Sequence, residues 1–351
     1  MLTYLAGALR LVAAVLCAAL FMTTVVHAQK WSTLAPFPEG SEEVYGIASG
    51  GKLYVLGGLG PAWTAKGLVY EFNPATNAWT KKKNMPLLSH HLALAELNGK
   101  IYVMGGFVKP EKGPTAWQPI DNAWEYDPAA DTWKALAPLP SKRGSASAAV
   151  INGKIHVIGG AGVHPESKEV SIHPARPHRA VSTNDVYDPA TNAWESRSPM
   201  PTARNHAAIG AVSNKIYVIG GRVGNGFITR ASNTDIVEVY DPATDQWGPL
   251  LAPMPTPRSA VAWGVHNGKI YVVGGEVRNQ ILSATYRVVE VYDPASNRWS
   301  ALPSMEFSRH GSAADFIGNR LHVVSGNVQS GGGPGAHVET DVHEVFDVPA
   351  K

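Results

Sequence analysis

The segment Tyr187-Asp188-Pro189-Ala190-Thr191-Asn192-Ala193-Trp194 indicates the architecture of the protein, because close copies of it recur along the chain. Every copy carries an aromatic residue seven positions before a tryptophan. The tryptophans of these copies stand at positions 79, 133, 194, 247 and 299, so they are 54, 61, 53 and 52 residues apart. Self-similarity at such a period predicts a repeat architecture with one structural unit per copy.

Each unit also carries strand and hairpin signals ahead of the aromatic stretch. A glycine pair ends a short apolar run, as in Lys215–Ile219 followed by Gly220-Gly221. Such a run of β-branched and aromatic residues is typical of a strand that is buried on both faces. Asn-Gly pairs such as Asn152-Gly153 precede several of these runs and indicate tight hairpins. The sequence therefore predicts an all-β protein.

The glycine pair, the spaced tyrosine and tryptophan and the unit length together resemble the Kelch repeat. The resemblance covers the chain after residue 28 and implies a β-propeller, in which four-stranded sheets stand as blades around a central channel. A sixth unit carries Ser325-Gly326 and Phe346-Asp347 but lacks the tryptophan that should follow, and Trp31 is a spare one near the start. We therefore predict that residues 29–351 form one domain, a six-bladed Kelch-type β-propeller whose ring is closed by an N-terminal strand that joins the last blade.

Residues 1–28 carry the pattern of a cleavable secretory signal. Arg10 precedes an apolar run, and Val26-His27-Ala28 offers small residues for cleavage after Ala28. We predict a periplasmic or secreted protein without stable membrane insertion after cleavage; an uncleaved membrane anchor is the alternative. Cleavage removes Cys17, the one cysteine, and takes Arg10 from the 30 basic residues, leaving 29 against 28 acidic ones. This near-neutral balance argues against nucleic acid as a partner.

Arginines recur in the segments that lead into the first strand of the units, which we call the lead-in segments. They stand at a common position in four units: Arg143, Arg204, Arg258 and Arg309. Because a guanidinium fork matches a carboxylate or phosphate, we predict that the loop face binds a small anionic ligand, either an acidic sugar or a carboxylate-rich peptide or protein. The alternative is that these arginines pair with carboxylates or carbonyls of neighbouring blades.

Two residues further along, the lead-in segments differ from unit to unit. Glu43, His91 and His206 stand there, and no blade-building rule requires them, so they are candidate site residues; ordinary polar residues at the channel rim are the alternative. His164, His173 and His178 lack metal-ligand spacing, so we predict no metal and no cofactor.

Whether the chain is an enzyme is left open. In fold, signal peptide and repeat it resembles the bacterial N-acetylneuraminate epimerases, a resemblance that implies a sugar epimerase or mutarotase. Such a reaction needs a proton acceptor and a cation beside the substrate carboxylate, roles that Glu43, Arg204 and His206 could fill. Kelch-type copper radical oxidases fit less well, because they cross-link a tyrosine to a cysteine that the mature chain lacks.

Overall fold

The described chain forms six four-stranded antiparallel sheets, one for each repeat unit, in the computed structural model, which describes residues 30–113, 115–176, 178–331 and 338–349. The second strand of each sheet holds the apolar run that ends at the glycine pair. In Lys215–Ile219, the four residues after the lysine are buried, as expected for a strand covered on both faces. The predicted all-β class is confirmed.

The strand bounds follow the repeat closely. Sheets one and two contain Glu42–Ser49, Lys52–Gly60, Thr64–Asn73 and Ala78–Lys81, then Ala93–Leu97, Lys100–Met104, Ala123–Asp127 and Thr132–Ala135. Sheets three and four contain Ser147–Ile151, Lys154–Ile158, Asn184–Asp188 and Ala193–Arg197, then Ala208–Val212, Lys215–Ile219, Val237–Asp241 and Gln246–Trp247. Sheets five and six contain Ala262–His266, Lys269–Val273, Val289–Asp293 and Arg298–Leu302, then Ala313–Ile317, Arg320–Val324, His343–Asp347 and Trp31–Thr33.

Sheet six takes its outer strand from the start of the described chain. Trp31–Thr33 pairs antiparallel with His343–Asp347, and Trp31 stands opposite Phe346, with the two ring centroids 5.3 Å apart. The predicted pairing of Trp31 with the segment around Phe346 is thus present. It supplies the sixth sheet with the tryptophan that its own unit lacks.

The repeated tryptophan links each sheet to the one before it. The indole Nε1 of Trp194 donates to the carbonyl of Ala137, which follows the last strand of the preceding sheet, over 2.8 Å. Trp31 makes the equivalent bond to Pro303 at 2.7 Å, and Trp79 makes one to Ala35 at 3.0 Å. The same contact therefore joins sheet five to sheet six and sheet six to sheet one.

The lead-in segments meet one another at the inner ends of the sheets. Backbone hydrogen bonds of 2.9 to 3.2 Å join one lead-in segment to the next. The donor N–H and acceptor carbonyl residues are Val44 to Gly311, Ser145 to His91, His206 to Ser145, Ala260 to His206, and Gly311 to Ala260. The first strands behind them line a cavity of about 310 Å³. Side chains carried by the lead-in segments are therefore held close together at one end of this cavity.

The variable loops after the glycine pairs carry short additional strands. These are Phe107–Val108 with Gln118–Pro119, Ala161–Val163 with His178–Ala180, Glu276–Arg278 with Ser283–Thr285, and Arg222–Val223 with Ser232–Asn233, to which the lead-in strand Arg204–Asn205 adds a third strand. Two 3-10 helices, Pro61–Trp63 and Ile228–Arg230, complete the described elements. Neither of these helices, nor any other stretch of the described residues, forms a helix with the length and hydrophobicity needed to span a membrane.

Candidate functional site

The four lead-in arginines are buried and already paired. Arg143, Arg204 and Arg309 contact Asp185, Glu238 and Glu344 at 2.8, 2.8 and 2.7 Å, and Arg258 contacts Glu290. Each guanidinium also donates to a strand carbonyl fourteen residues further along, as Arg204 does to Val218 at 2.8 Å. Their partners lie in the same sheet, not in a neighbouring one as the alternative supposed. This geometry favours a structural role for the four arginines, and a role in ligand binding stays a prediction.

A signal in the sequence matches this pairing. The carboxylates of Asp185, Glu238, Glu290 and Glu344 each stand two residues before the repeated aromatic residue of their unit. The two units with serine at the arginine position, Ser41 and Ser89, have Tyr70 and Trp124 there instead. The arginine and the carboxylate thus occur together or not at all, as expected for partners in a buried ion pair.

The variable lead-in residues come together in the structure. Ligand-type atoms of Glu43, His91 and His206 all lie within 4.8 Å of one another. His91 Nε2 is 3.4 Å from Glu43 Oε2, and the ring centroids of His91 and His206 are 4.8 Å apart. All three side chains are buried, with 5%, 1% and 6% of their surface exposed. Arg204, predicted to act with Glu43 and His206, pairs with Glu238 instead.

Neighbouring groups orient these three side chains. The Tyr45 hydroxyl donates to Glu43 Oε2 at 3.2 Å, and His206 Nδ1 lies 2.5 Å from Asn205 Oδ1. The Nδ1 atoms of His90 and His91 contact each other. The backbones of Glu43, His91 and His206 have φ of 53°, 57° and 55°, but Ser145 and Ala260 share this conformation at 55° and 50°. The repeat therefore requires positive φ at this position, so the conformation by itself does not mark a functional residue.

Four further charged residues complete the site, and sequence reasoning missed them. Arg222 Nη2 lies 3.3 Å from Glu276 Oε1, and His310 Nε2 lies 3.8 Å from both Glu42 Oε2 and Glu276 Oε2. We call Glu42, Glu43, His91, His206, Arg222, Glu276 and His310 the loop-face cluster. Arg222 and Glu276 directly follow a glycine pair, at a position that is Leu59, Phe107 and Ala161 in other units. That change from apolar to charged residues was the signal available in the sequence.

Burial sets the protonation of the cluster. Burial raises the pKa of Glu43 to about 7. The charge of His310 lowers this pKa, and the nearby charge of Glu42 raises it further. Burial also holds the pKa of His91 and of His206 well below the usual range, so both imidazoles are neutral. Burial also lowers the pKa of His310, but the negative charges of Glu276, Glu42 and Glu43 outweigh this effect, so the pKa of His310 is raised.

Aromatic side chains from the variable loops pack against the cluster. The Trp117 ring stacks on Phe227 with centroids 4.1 Å apart, and its other contacts include His91 at 4.4 Å. Trp63 and Phe107 belong to the same buried apolar group. The loops thus keep water from the charged residues beneath them, which strengthens every electrostatic interaction there.

Comparison with known proteins agrees with this architecture. The family model described as the Attractin/LZTR1 beta-propeller matches residues 19–224, and the Kelch motif model matches residues 203–250 and 257–306. The chain is 28% identical over 319 residues to Kelch-like protein terF of Aspergillus terreus, covering 86% of this chain and 65% of that protein. It is 30% identical over 255 residues to Kelch-like protein 15 of Danio rerio, covering 70% of this chain and 40% of that protein.

Among solved structures, that of YjhT has the same fold, with a TM-score of 0.69 and 19% sequence identity over 90% of this chain and 100% of that one. The chain spans about two fifths to two thirds of the length of the curated relatives above, and the solved structure is similar in fold alone. The first family model nevertheless covers more than half of the chain. The chain belongs to the Kelch β-propeller family.

Proposed function

We propose that this Kelch propeller is a binding module whose loop-face cluster holds a small anionic ligand of the acidic-sugar class. Among the residues that the structure describes, Trp117 Nε1, Arg222 Nε and His310 Nδ1 are buried without a hydrogen-bond partner. Buried polar groups in proteins are almost always satisfied, so unpaired nitrogens on Arg222 and His310 of the cluster, and on Trp117, whose ring packs against His91, indicate an absent acceptor. A carboxylate would provide one, and this observation carries the proposal.

The carboxylates of the cluster favour a sugar over an acidic peptide. Glu42, Glu43 and Glu276 surround the same space as Arg222 and His310 and would repel a ligand that carried several charges. A sugar acid presents one carboxylate and many hydroxyls. The carboxylate can accept bonds from Arg222 and Trp117, while the hydroxyls donate to the glutamates.

We expect Arg222→Lys to weaken ligand binding, because lysine keeps the positive charge but lacks the planar fork and the Nε donor of arginine. A charge-assisted hydrogen bond contributes about 1.5–3 kcal/mol, so affinity should fall by about tenfold to a hundredfold. A thermal-shift panel of uronic acids, sialic acids and acidic peptides identifies the ligand. Titration calorimetry then measures how much affinity Arg222→Lys loses.

Arg230→Met is the matched control, since Arg230 lies on the same loop with its side chain exposed. It should bind as the wild type does. Equal affinity of Arg222→Lys and wild type would contradict the proposal, as would a panel without any stabilising acid.

A sugar epimerase or mutarotase is the second candidate. The observation in its favour is that Glu43 and His206, two of the three groups that it needs, lie within 4.8 Å of each other, and that Tyr45 donates to Glu43. Arg222 replaces Arg204 as the cation available to a substrate carboxylate. Incubation with the α-anomer of a sialic acid, followed by NMR, should then show interconversion faster than in buffer; an unchanged rate removes this candidate.

We also propose that the six sheets are the blades of one closed propeller spanning residues 29–351. Three features support closure: the pairing of Trp31 with Phe346, the tryptophan bonds from sheet to sheet, and the backbone bond from Val44 to Gly311 between the first and sixth lead-in segments. The largest consequence of closure is that sheet six depends on the strand that carries Trp31.

The proposed setting is the periplasm or the extracellular space, as the signal pattern of residues 1–28 indicates. Those residues lie outside the described part of the chain, so the proposal rests on the sequence. Neither nucleic acid nor a membrane is among the proposed partners. Mass analysis of the mature N-terminus tests cleavage after Ala28.

A further inference from the structure

We propose that Glu43, His91 and His206 form a binding site for one divalent transition-metal ion. We predicted no metal from the sequence because His164, His173 and His178 lack ligand spacing, and this prediction did not consider Glu43, His91 and His206, which are 48 and 115 positions apart along the chain. The fold brings them together from the lead-in segments of sheets one, two and four. These three residues belong to the loop-face cluster, but the inference does not require that the cluster binds a sugar.

The distances suit metal coordination. Zinc binds histidine nitrogen and carboxylate oxygen at about 2.0–2.2 Å, which places two ligands of a tetrahedral ion about 3.3 Å apart. His91 Nε2 and Glu43 Oε2 are 3.4 Å apart, and the three ligand atoms lie within 4.8 Å of one another. Small side-chain rotations would bring all three to bonding distance of one ion.

The ligands are held by a second set of contacts. Tyr45 bonds to Glu43, Asn205 lies against the Nδ1 atom of His206, and Nε2 of that ring lies 3.2 Å from Ser145 Oγ, a contact that a bound ion would replace. Such outer contacts orient the ligands of metal centres and raise their affinity. The lead-in backbones carrying His91 and His206 both bond to Ser145, so the positions are rigid before any ion arrives.

Two further observations indicate a missing occupant. Nε2 of His91 has no hydrogen-bond partner among the described residues although the side chain is 1% exposed. A cavity of about 10 Å³ is lined by Glu43 and His206 together with Tyr45 and Ser145, but not by His91. This is about the size of one water molecule or one ion.

The donor set decides the class of ion. Two imidazoles and one carboxylate suit zinc, iron(II), manganese(II) or cobalt(II), whereas calcium and magnesium require mainly oxygen ligands. Glu42, Glu43 and Glu276 outnumber the cationic groups Arg222 and His310 in the cluster, so additional positive charge is accommodated. An ion on Glu43 would occupy the carboxylate that the epimerase candidate needs as a base, so the two assignments of Glu43 exclude each other.

The test is zinc titration of chelator-stripped protein by calorimetry, with metal content measured by mass spectrometry. We expect one zinc per chain in the wild type. His91→Asn and His206→Asn should lower affinity at least a hundredfold, and Glu43→Gln should behave in the same way. Asparagine tolerates the positive φ at both histidine positions, which limits damage to the fold. Tyr45→Phe, which removes only a contact that orients Glu43, should lower zinc affinity by about tenfold to a hundredfold.

His164→Asn, outside the cluster, is the matched control and should leave zinc binding unchanged. If the ligand variants do not fold, X-ray absorption on the zinc-loaded wild type decides instead, because the site requires two imidazoles around the ion. Failure of folded, stripped wild type to bind zinc would overturn the proposal. So would full occupancy in the ligand variants or a spectrum with fewer than two imidazoles.

Discussion

Replacing Arg309 with methionine is expected to lower the free energy of unfolding by about 3–5 kcal/mol. The side chains of Arg309 and Glu344 are both 0% exposed, and their charged atoms lie 2.7 Å apart. Removing one partner leaves the other charge buried and unpaired, which costs far more than the pair contributes as a whole. Denaturant unfolding followed by tryptophan fluorescence measures the change.

Two matched variants separate burial from charge. Arg320→Met breaks an exposed pair with Asp347 in the same sheet and should cost less than about 1 kcal/mol. The double variant Arg309→Met with Glu344→Gln removes both buried charges and keeps an acceptor for the backbone N–H of Glu306. It should recover much of the loss. If Arg309→Met and Arg320→Met unfold at the same denaturant concentration, the structural role of the lead-in arginines is wrong.

Trp31→Ala is expected to destabilise the chain by about 3–5 kcal/mol, the usual cost of truncating a buried tryptophan. The indole is 6% exposed, packs on Phe346 and donates to Pro303. Its loss should also free the outer strand of sheet six and expose His343–Asp347 as a sheet edge. Equilibrium unfolding measures the first effect, and hydrogen exchange at His343–Asp347 measures the second.

Trp299→Ala is the control, because Trp299 makes the same type of indole contact with the preceding sheet, to Ala252, and belongs to a sheet whose four strands all come from one repeat unit. Both variants should lose stability, but only Trp31→Ala should speed hydrogen exchange at His343–Asp347. Unchanged exchange there would mean that the last sheet does not depend on the N-terminal strand, and ring closure would have to be abandoned.

Much of the candidate site was readable from the repeat. Glu43, His91 and His206 occupy the same position in three units, and equivalent positions of a radially repeated fold lie on one circle around its axis. Their convergence therefore follows from the alignment of the units. Arg222 and Glu276 could have been found in the same way, since they replace apolar residues after the glycine pair.

The repeat alone was sufficient to predict the strands of the six sheets, their order and the pairing of Trp31 with the segment around Phe346, because periodic burial, hairpin turns and the spare Trp31 are local or periodic properties. The direction in which the charged side chains turn is visible only in the folded chain, although each lead-in arginine occurs together with its carboxylate in the sequence. The lead-in arginines could have turned toward the axis or toward their own sheet, and buried carboxylates such as Glu344 drew them to the sheet. Likewise, the position of Trp117 over His91 depends on how a variable loop packs, since no repeat constrains its path. Contacts between units and the packing of the variable loops join residues far apart in the sequence, and periodicity within a unit carries no record of them.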